Sequence, residues 1–204
     1  MFVKICGITD IETALFAAEC GADAIGMVFA NSKRRVSLKK AKEISKSLPK
    51  SVWKIGVFVN EDPDIVRNIA KEADLDFVQL HGEETPEYSR SLGVPVIKAF
   101  GLSKETNERE MADFPASYLL VDSPKGAYYG GNGKTFDWSL IEEKRLKKEN
   151  LIIAGGLNPE NVQQAIQAIQ PFGVDVSSGV ETEGRKDRRK IKLFIDEAKG
   201  VQKR

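Results

Sequence analysis

The stretch LIIAGGLNP, residues Leu151–Pro159, contains the unit from which the fold of this chain is predicted. It runs from a continuous apolar segment through two glycines to Asn-Pro, a pair typical of a helix start. An apolar segment without polar alternation indicates a strand that is covered on both faces, as strands of a parallel sheet are. The stretch therefore predicts a parallel strand that leads directly into a helix.

The same strand-to-helix unit recurs along the whole chain. Helix starts are indicated by capping residues, several of them followed by proline, at Thr9–Glu12, Ser37, Asp62–Pro63, Thr85–Pro86, Asp137, Asn158–Pro159 and Asp187. Eight apolar segments are predicted to be strands: Phe2–Ile5, Ala24–Phe29, Val52–Val59, Phe77–Leu80, Val94–Ala99, Tyr118–Val121, Leu151–Ala154 and Val174–Val176.

Eight alternations of strand and helix in 204 residues predict an α/β fold, a single (β/α)8 TIM barrel that spans residues 1–204 as one catalytic domain. The fifth helix is expected to be short or irregular, because Ser103–Asp113 is highly charged and contains only Met111 as a large apolar residue. An open doubly wound sheet is the competing architecture, but it would require two or three of the apolar segments to be reassigned.

The composition excludes several classes of protein. Hydrophobic residues make up 41% of the chain and its formal net charge is +1, so neither nucleic acid nor a membrane surface is expected as the main partner. No apolar segment approaches the roughly 18–20 residues of a membrane span, and the N-terminus does not resemble a secretion signal. Cys6 and Cys20 are too few for a disulfide framework and lack the spacing of a metal site. A reduced, cytoplasmic location fits these observations best.

Two titratable residues follow predicted strands at the end where such a barrel carries its active site. Cys6 follows the first strand and Asp122 the sixth, which puts a potential thiolate base and a potential carboxylic acid on nearly opposite sides of the barrel mouth. Taken alone, Cys6 is more typical of a small buried residue, and Asp122 of a cap or an ion-pair partner. Their shared position favours acid–base catalysis, whereas Cys20 is expected to be structural.

Loops rich in glycine and serine follow the seventh and eighth predicted strands, where this fold usually binds phosphate. They contain Gly155 and Gly156 in the first loop, and Ser177, Ser178 and Gly179 in the second. Backbone N–H groups of these residues are expected to hold a phosphorylated substrate, although the same glycines are also typical of plain tight turns.

For other polar side chains near the strand ends, the sequence leaves two alternatives open. Either Arg34 or Arg35 is expected to hold a substrate carboxylate by a two-pronged pair, while the other belongs to a solvated loop. His81, the single histidine, either orients the substrate or makes a loop hydrogen bond. We assign Lys4 to the opposite side of its strand from Cys6, so the sequence does not identify what lowers the pKa of that thiol.

At these positions the sequence resembles the phosphoribosylanthranilate isomerases of tryptophan biosynthesis. The matching blocks follow the order of that family and run nearly from end to end of the chain. They are Val3–Thr9, Gly21–Gly26, Ser32–Arg34, Gly56–Asn60, Val78–Glu83, Gly130–Trp138, Ala154–Val162 and Val174–Val180.

The resemblance implies residue roles as well as an activity. It implies that Cys6 is the general base, that Asp122 is the general acid, that Arg34 holds the anthranilate carboxylate and that Asp175 lies near the sugar hydroxyls. It also implies that the two loops described above correspond to the phosphate-binding loops of the family. The stretch 29–32 is shorter than in many members, so the choice between Arg34 and Arg35 stays open.

The implied reaction is an Amadori rearrangement of N-(5-phosphoribosyl)anthranilate, an aminoaldose, to 1-(2-carboxyphenylamino)-1-deoxyribulose 5-phosphate, an aminoketose. It requires neither a metal nor an organic cofactor. The pKa of Cys6 would have to be lowered from about 8.5, and that of Asp122 raised from about 3.9 so that it starts protonated. As partners we expect the phosphosugar substrate alone, with the chain a monomer or a homodimer.

Two other functions compete with this interpretation. A related barrel isomerase that acts on another phosphosugar, such as the histidine-pathway aminoaldose isomerase, is expected to carry an aspartate in place of Cys6. A phosphosugar-binding protein without catalysis would have no need for an acid–base pair.

Overall fold

The computed structural model describes residues 1–103, 106–122, 141 and 146–200. In this part of the chain, eight parallel strands form a closed barrel in chain order, and the last strand pairs with the first. The open-sheet alternative is therefore wrong and the predicted barrel is confirmed. The strands are β1 (Phe2–Cys6), β2 (Ala24–Val28), β3 (Trp53–Phe58), β4 (Phe77–Leu80), β5 (Val96–Gly101), β6 (Tyr118–Asp122), β7 (Leu151–Ile153) and β8 (Gly173–Val176).

Helices connect these strands on the outside of the barrel. The described ones are α1 (Ile11–Glu19), α2 (Leu38–Ser47), α3 (Pro63–Glu72), α4 (Pro86–Ser91), α5 (Glu108–Ala112), α6 (Val162–Ile169) and α7 (Arg188–Lys199). Helix α5 has five residues, as expected from its charged sequence. The helix predicted to start at Asp137, and the block Gly130–Trp138, lie outside the described residues. Among those residues, no helix is both long enough and apolar enough to cross a membrane.

Two of the predicted helix starts are displaced in the structure. Helix α1 is capped by Asp10 rather than by Thr9, because the Asp10 carboxylate accepts a hydrogen bond from the backbone of Thr13. Asn158 does not cap α6: its side chain accepts from two backbone N–H groups of residues 160 and 161, which forms a turn before the helix begins at Val162. The predicted caps at Ser37, Asp62, Thr85 and Asp187 are confirmed.

Apolar side chains fill the amino-terminal half of the barrel interior. An inner cluster includes Ala24, Ile55, Ile97, Leu120 and Ile152, all of them fully buried. Below it, at the amino ends of the strands, five aromatic rings are packed with centroids 4.5–5.8 Å apart. Because apolar side chains fill this half of the barrel, the polar side chains of the strands lie together at the carboxyl ends. The rings belong to Phe2, Trp53, Phe77, Tyr118 and Phe172.

After β8 the chain forms a small hairpin that precedes the last helix. Residues Ser178–Val180 make one 3-10 turn, and the short strands β9 (Glu181–Thr182) and β10 (Arg185–Lys186) pair with each other in antiparallel fashion. The hairpin follows the carboxyl end of β8, so it brings additional charged side chains to the barrel mouth.

Candidate active site

The predicted base and acid occupy equivalent positions on two strands. Cys6 is the last residue of β1 and Asp122 the last residue of β6, and they are 8% and 6% exposed. Because all strands of the closed barrel run in the same direction, both side chains are at the same mouth, with β7 and β8 between their strands. The structure therefore brings these two residues to one end of the barrel.

Lys4 lies on the same face of β1 as Cys6, so its assignment to the opposite side is wrong. Residues two apart in a strand point to the same face. The Lys4 ammonium is fully buried and its Nζ donates to Oδ1 of Asp175 on β8 at 2.9 Å. A Cβ placed on Gly26 would lie 2.8 Å from the Cys6 Sγ and 3.1 Å from the Lys4 Nζ, so both groups lie over the same glycine.

The charges around Cys6 act on its thiol in opposite directions. Burial raises the pKa of the Cys6 thiol, and the Asp175 carboxylate adds to that effect. The ammonium groups of Lys4 and Lys186 oppose it by favouring the thiolate, Lys4 more strongly. The net direction is upward, so the lowered pKa that the sequence analysis required is not found for this thiol.

Arg34 faces the barrel mouth, whereas Arg35 is exposed. The side chain of Arg34 lies against Gly7, where a Cβ would come within 2.5 Å of the Arg34 Cδ. The guanidinium binds Glu181 with two prongs, Nε to Oε1 at 2.7 Å and Nη2 to Oε2 at 2.8 Å. A guanidinium has five N–H donors, so this pair leaves donors on the Nη1 side.

Glu181 also binds a second cation, Lys186, whose Nζ lies 2.7 Å from Oε1. Burial by itself raises the pKa of Glu181, but the hydrogen bonds from Arg34 and Lys186 outweigh it and lower the pKa to about 2. The Lys186 side chain also reaches the loop after β8, where its Nζ donates to the carbonyl oxygen of Ser177 at 2.9 Å. Arg34 is thus part of a charged network and not a solvated loop residue.

His81 lies next to the predicted acid, with its Nε2 3.5 Å from Oδ2 of Asp122. The amide nitrogen of Gln79 lies 3.0 Å from the other ring nitrogen, Nδ1. The Gln79 amide thus holds the imidazole at Nδ1, and Nε2 is the ring nitrogen that faces Asp122. Gln79 is 1% exposed, and its Oε1 finds no partner in the part of the chain that the structure describes.

The two predicted phosphate loops meet at the mouth. Gly155 and Gly156 both have positive φ angles, +78° and +65°, which glycine adopts without strain. A Cβ on Gly179 would lie 1.9 Å from the carbonyl oxygen of Leu157, so the loop after β8 touches the loop after β7 at a distance that only glycine permits. Ser177 connects this loop to Cys6, because its Oγ donates to the backbone oxygen of Cys6 at 3.1 Å.

Three residues of this site were missed by the sequence analysis. Gln79 had a usable signal, because it precedes His81 by two residues and so shares its face of the strand. Glu181 and Lys186 had none, since their importance depends on where the β9–β10 hairpin lies relative to the barrel mouth.

A cavity of about 580 Å³ opens on the acid side of the mouth, beside His81 and Asp122. Lys98, Phe100 and Phe114 also line it, and the Lys98 ammonium is paired with the Glu84 carboxylate at 2.7 Å. Among the described residues, no three His, Cys, Asp or Glu side chains are grouped so that they could hold a metal ion. The groups that the site offers are a thiol, carboxylates, an imidazole and cations.

Comparisons with known proteins agree on one family. Residues 3–197 match the family model for N-(5'-phosphoribosyl)anthranilate (PRA) isomerase. A relative of that name from Bacillus cereus is 52% identical over 203 residues, which cover 98% of this chain and all of the relative.

Two solved structures share the fold over the same extent. One is a phosphoribosyl anthranilate isomerase in complex with reduced 1-(o-carboxyphenylamino)-1-deoxyribulose 5-phosphate, and the other shows monomers generated from the dimeric enzyme of Thermotoga maritima. Each is 46% identical to this chain, covers 98% of it and is itself covered completely, with a TM-score of 0.83.

The Glu181 network predicts a specific dependence of stability on pH. The folded-state pKa of Glu181, about 2, lies below the ordinary value of 4.5, so its ionised form stabilises the fold above pH 4.5 and this contribution is lost as the pH falls towards 2. We expect Glu181→Gln to lessen the decline in the free energy of unfolding over that range, as measured by urea unfolding at a series of pH values. Glu160→Gln, at an exposed position, serves as control and should keep the original decline. Equal slopes for the two variants would contradict the network.

Proposed function

This chain belongs to the N-(5'-phosphoribosyl)anthranilate isomerase family, and from that premise we propose which of its residues carry out the reaction. Its activity is the isomerisation of N-(5-phosphoribosyl)anthranilate to 1-(2-carboxyphenylamino)-1-deoxyribulose 5-phosphate in tryptophan biosynthesis. The observation that supports the proposed roles most directly is that Cys6 and Asp122 end two strands at one barrel mouth.

Asp122 is the general acid in this proposal. Its carboxyl proton moves to the ring oxygen of the furanose, the bond from that oxygen to C1 breaks, and the nitrogen lone pair forms the iminium. Asp122 is left as a carboxylate, and the His81 Nε2 lies 3.5 Å from its Oδ2. His81 is proposed to stabilise the negative charge that the first step leaves on the Asp122 carboxylate.

Cys6 is the general base. As a thiolate it takes the proton from C2, and the electrons of that bond form the C1–C2 double bond while the iminium nitrogen becomes a neutral amine. The enolamine then gains a proton at C1 and loses the proton of its C2 hydroxyl, which gives the ketone. Asp175, fixed by Lys4, is proposed to contact the sugar hydroxyls.

The charged ends of the substrate have separate binding sites. The phosphate is proposed to bind backbone N–H groups of Gly155, Gly156 and residues 177–179, at the point where the two loops meet. The anthranilate carboxylate is proposed to bind the Nη1 side of Arg34, while Glu181 holds the guanidinium in place. This choice follows from the orientation of Arg34 towards the mouth and the exposure of Arg35.

The setting of the enzyme is part of the same proposal. We propose one catalytic domain over residues 1–204, because the strands from β1 to β8 and the final helix α7 complete a single barrel. Both cysteines are free thiols, which supports a reduced, cytoplasmic location. The relative from Thermotoga maritima is described as dimeric, and for this chain a monomer or a homodimer is to be decided by analytical ultracentrifugation.

The base is tested by replacing each cysteine with serine. Cys6→Ser is expected to fold and to lose turnover by at least about 10²–10⁴-fold, because a hydroxyl does not ionise near neutral pH. Turnover is measured as the loss of substrate fluorescence on conversion to the ketose. Cys20→Ser is the matched control and should keep nearly the original rate. A Cys6→Ser enzyme that turns over normally would remove Cys6 from the mechanism.

The acid is tested by a substitution that keeps the shape of the side chain. Asp122→Asn cannot deliver a proton, so kcat should collapse while KM changes little. Steady-state kinetics with the fluorescent substrate separate the two constants. A large rise in KM at an unchanged kcat would mean that Asp122 binds the substrate and does not protonate it.

The phosphate site is tested by competition and by one substitution. Inorganic phosphate is expected to raise the apparent KM of the enzyme without changing kcat, whereas sodium chloride at equal ionic strength has a smaller effect. Gly179→Ala should weaken both substrate binding and inhibition by phosphate, because its methyl group would push the two loops apart. If phosphate does not compete with the substrate in the unmodified enzyme, the loops are not its site.

The carboxylate site is tested by comparing the two neighbouring arginines. Arg34→Ala should weaken substrate binding by about 1.5–3 kcal/mol, the size expected for a lost charge-assisted pair. A substrate analogue without the anthranilate carboxylate should be nearly insensitive to the change. Arg35→Ala is the control with wild-type binding; if it shows the loss instead, Arg35 holds the carboxylate.

A further inference from the structure

Lys4 is a buried charge to which the proposed reaction gives no role beyond holding Asp175. Its side chain is 0% exposed, and it is among the largest fully buried side chains of the protein. A buried ammonium is costly unless opposite charges surround it. Asp175 supplies one such charge at 2.9 Å, yet aliphatic side chains in place of both partners would avoid the cost of burying either charge. The retention of this pair in the barrel interior therefore calls for a reason other than packing.

The charges around the Cys6 thiol do not balance when the thiol is neutral. Lys4 on β1, Lys186 on β10 and Arg34 in the loop after β2 act on it as cations. The two carboxylates of this cluster are Asp175 on β8 and Glu181 on β9, which bind these same cations. Three cations face two carboxylates, so one positive charge has no counterpart within the cluster. A thiolate at Cys6 would complete the balance.

Of the three cations, Lys4 has the position that best fits a counter-ion of the thiolate. Lys186 and Arg34 share the Glu181 carboxylate, which offsets part of their charge. The Lys4 Nζ lies with the Cys6 Sγ over Gly26, where the missing side chain leaves room for both groups. One donor of the Lys4 ammonium is bound to Asp175, and another lies within hydrogen-bond reach of the Cys6 sulfur.

We propose that Lys4, held over Gly26 by Asp175, stabilises the thiolate of Cys6 and is thereby a positioning residue for the base. This inference rests on the proposed role of Cys6 and adds the group that makes its ionisation possible. The positive charge of Lys4 offsets part of the cost of ionising a buried thiol. The Asp175 carboxylate has the opposite effect on the thiolate, and its contribution is to fix the ammonium.

The experiment measures the ionisation of Cys6 directly, without catalysis. In a Cys20→Ser background, Cys6 is the single thiol. Its rate of alkylation by iodoacetamide is followed against pH, where the midpoint reports ionisation and the plateau reports access to the thiol. Lys4→Met should move the midpoint upward by about 1–3 units, and Asp175→Asn should move it downward, since one removes a positive and the other a negative charge.

The opposite signs separate the proposal from a structural disturbance. A loosened barrel would change the plateau, and both substitutions would then move the midpoint in the same direction. Midpoints that stay in place, or that move together, would overturn the role of Lys4. If Lys4→Met does not fold, Gly26→Ala serves as a second variant, because its methyl group would come within 2.8 Å of the sulfur and 3.1 Å of the ammonium, force the two groups apart and raise the midpoint.

Failure of this inference is distinguishable from failure of the proposed function. A Cys6→Ser enzyme with normal turnover would end the role of Cys6 as base while leaving the alkylation midpoints interpretable. If Cys6→Ser is inactive but Lys4→Met leaves the alkylation midpoint unchanged, only the inference about Lys4 is overturned. In the expected case, the pKa that the kcat/KM profile reports for Cys6 should also move upward in Lys4→Met, which a merely structural loss would not produce.

Discussion

The hydrogen-bonded pairing of β1 with β8 closes the barrel, and the arrangement of the site depends on the register of that pairing. In this register Lys4 is opposite Asp175, and Ile5 is opposite Val176. A slip by one residue would turn every side chain of β1 to the other face and would remove Lys4 and Cys6 from the interior. Closure also brings the loop after β8 against Cys6, where the Ser177 hydroxyl binds the Cys6 carbonyl oxygen. Cys6 and the predicted phosphate loop after β8 are neighbours because the first and last strands are.

The barrel interior is divided along its axis between stability and chemistry. Its amino half contains fully buried aliphatic side chains and packed aromatic rings, whose burial stabilises the fold. Its carboxyl end contains ionised groups such as Lys4 and Asp175, and buried ion pairs contribute little net stability because both partners lose their hydration. Such groups are expected where a reaction requires them, and (β/α)8 barrels carry their active sites at that end.

The two sides of the mouth are built differently, in keeping with the proposed roles of Asp122 as acid and Cys6 as base. On the side of the proposed acid, Asp122 faces the His81 imidazole, which the amide of Gln79 holds at its other ring nitrogen. On the base side, Cys6 lies among cations and carboxylates from β1, β8, the loop after β2 and the β9–β10 hairpin. A base that has to become an anion benefits from surrounding positive charge, whereas an acid needs hydrogen bonds that stabilise it after it has released its proton.

The sequence by itself determined the strand-to-helix alternation, the closed barrel and the strand-end positions of Cys6 and Asp122, because each of these depends on a local pattern of apolar, capping and turn residues. Even locally it was misread in places: Lys4 shares a face with Cys6, and Asn158 caps a turn before α6. Only the tertiary structure decided the electrostatic partners of the thiol. Lys4 and Asp175 are 171 residues apart in the chain, and Arg34 meets Glu181 across 147. No local pattern encodes such pairs, since they exist only once β8 has paired with β1 and the hairpin has folded against the barrel mouth.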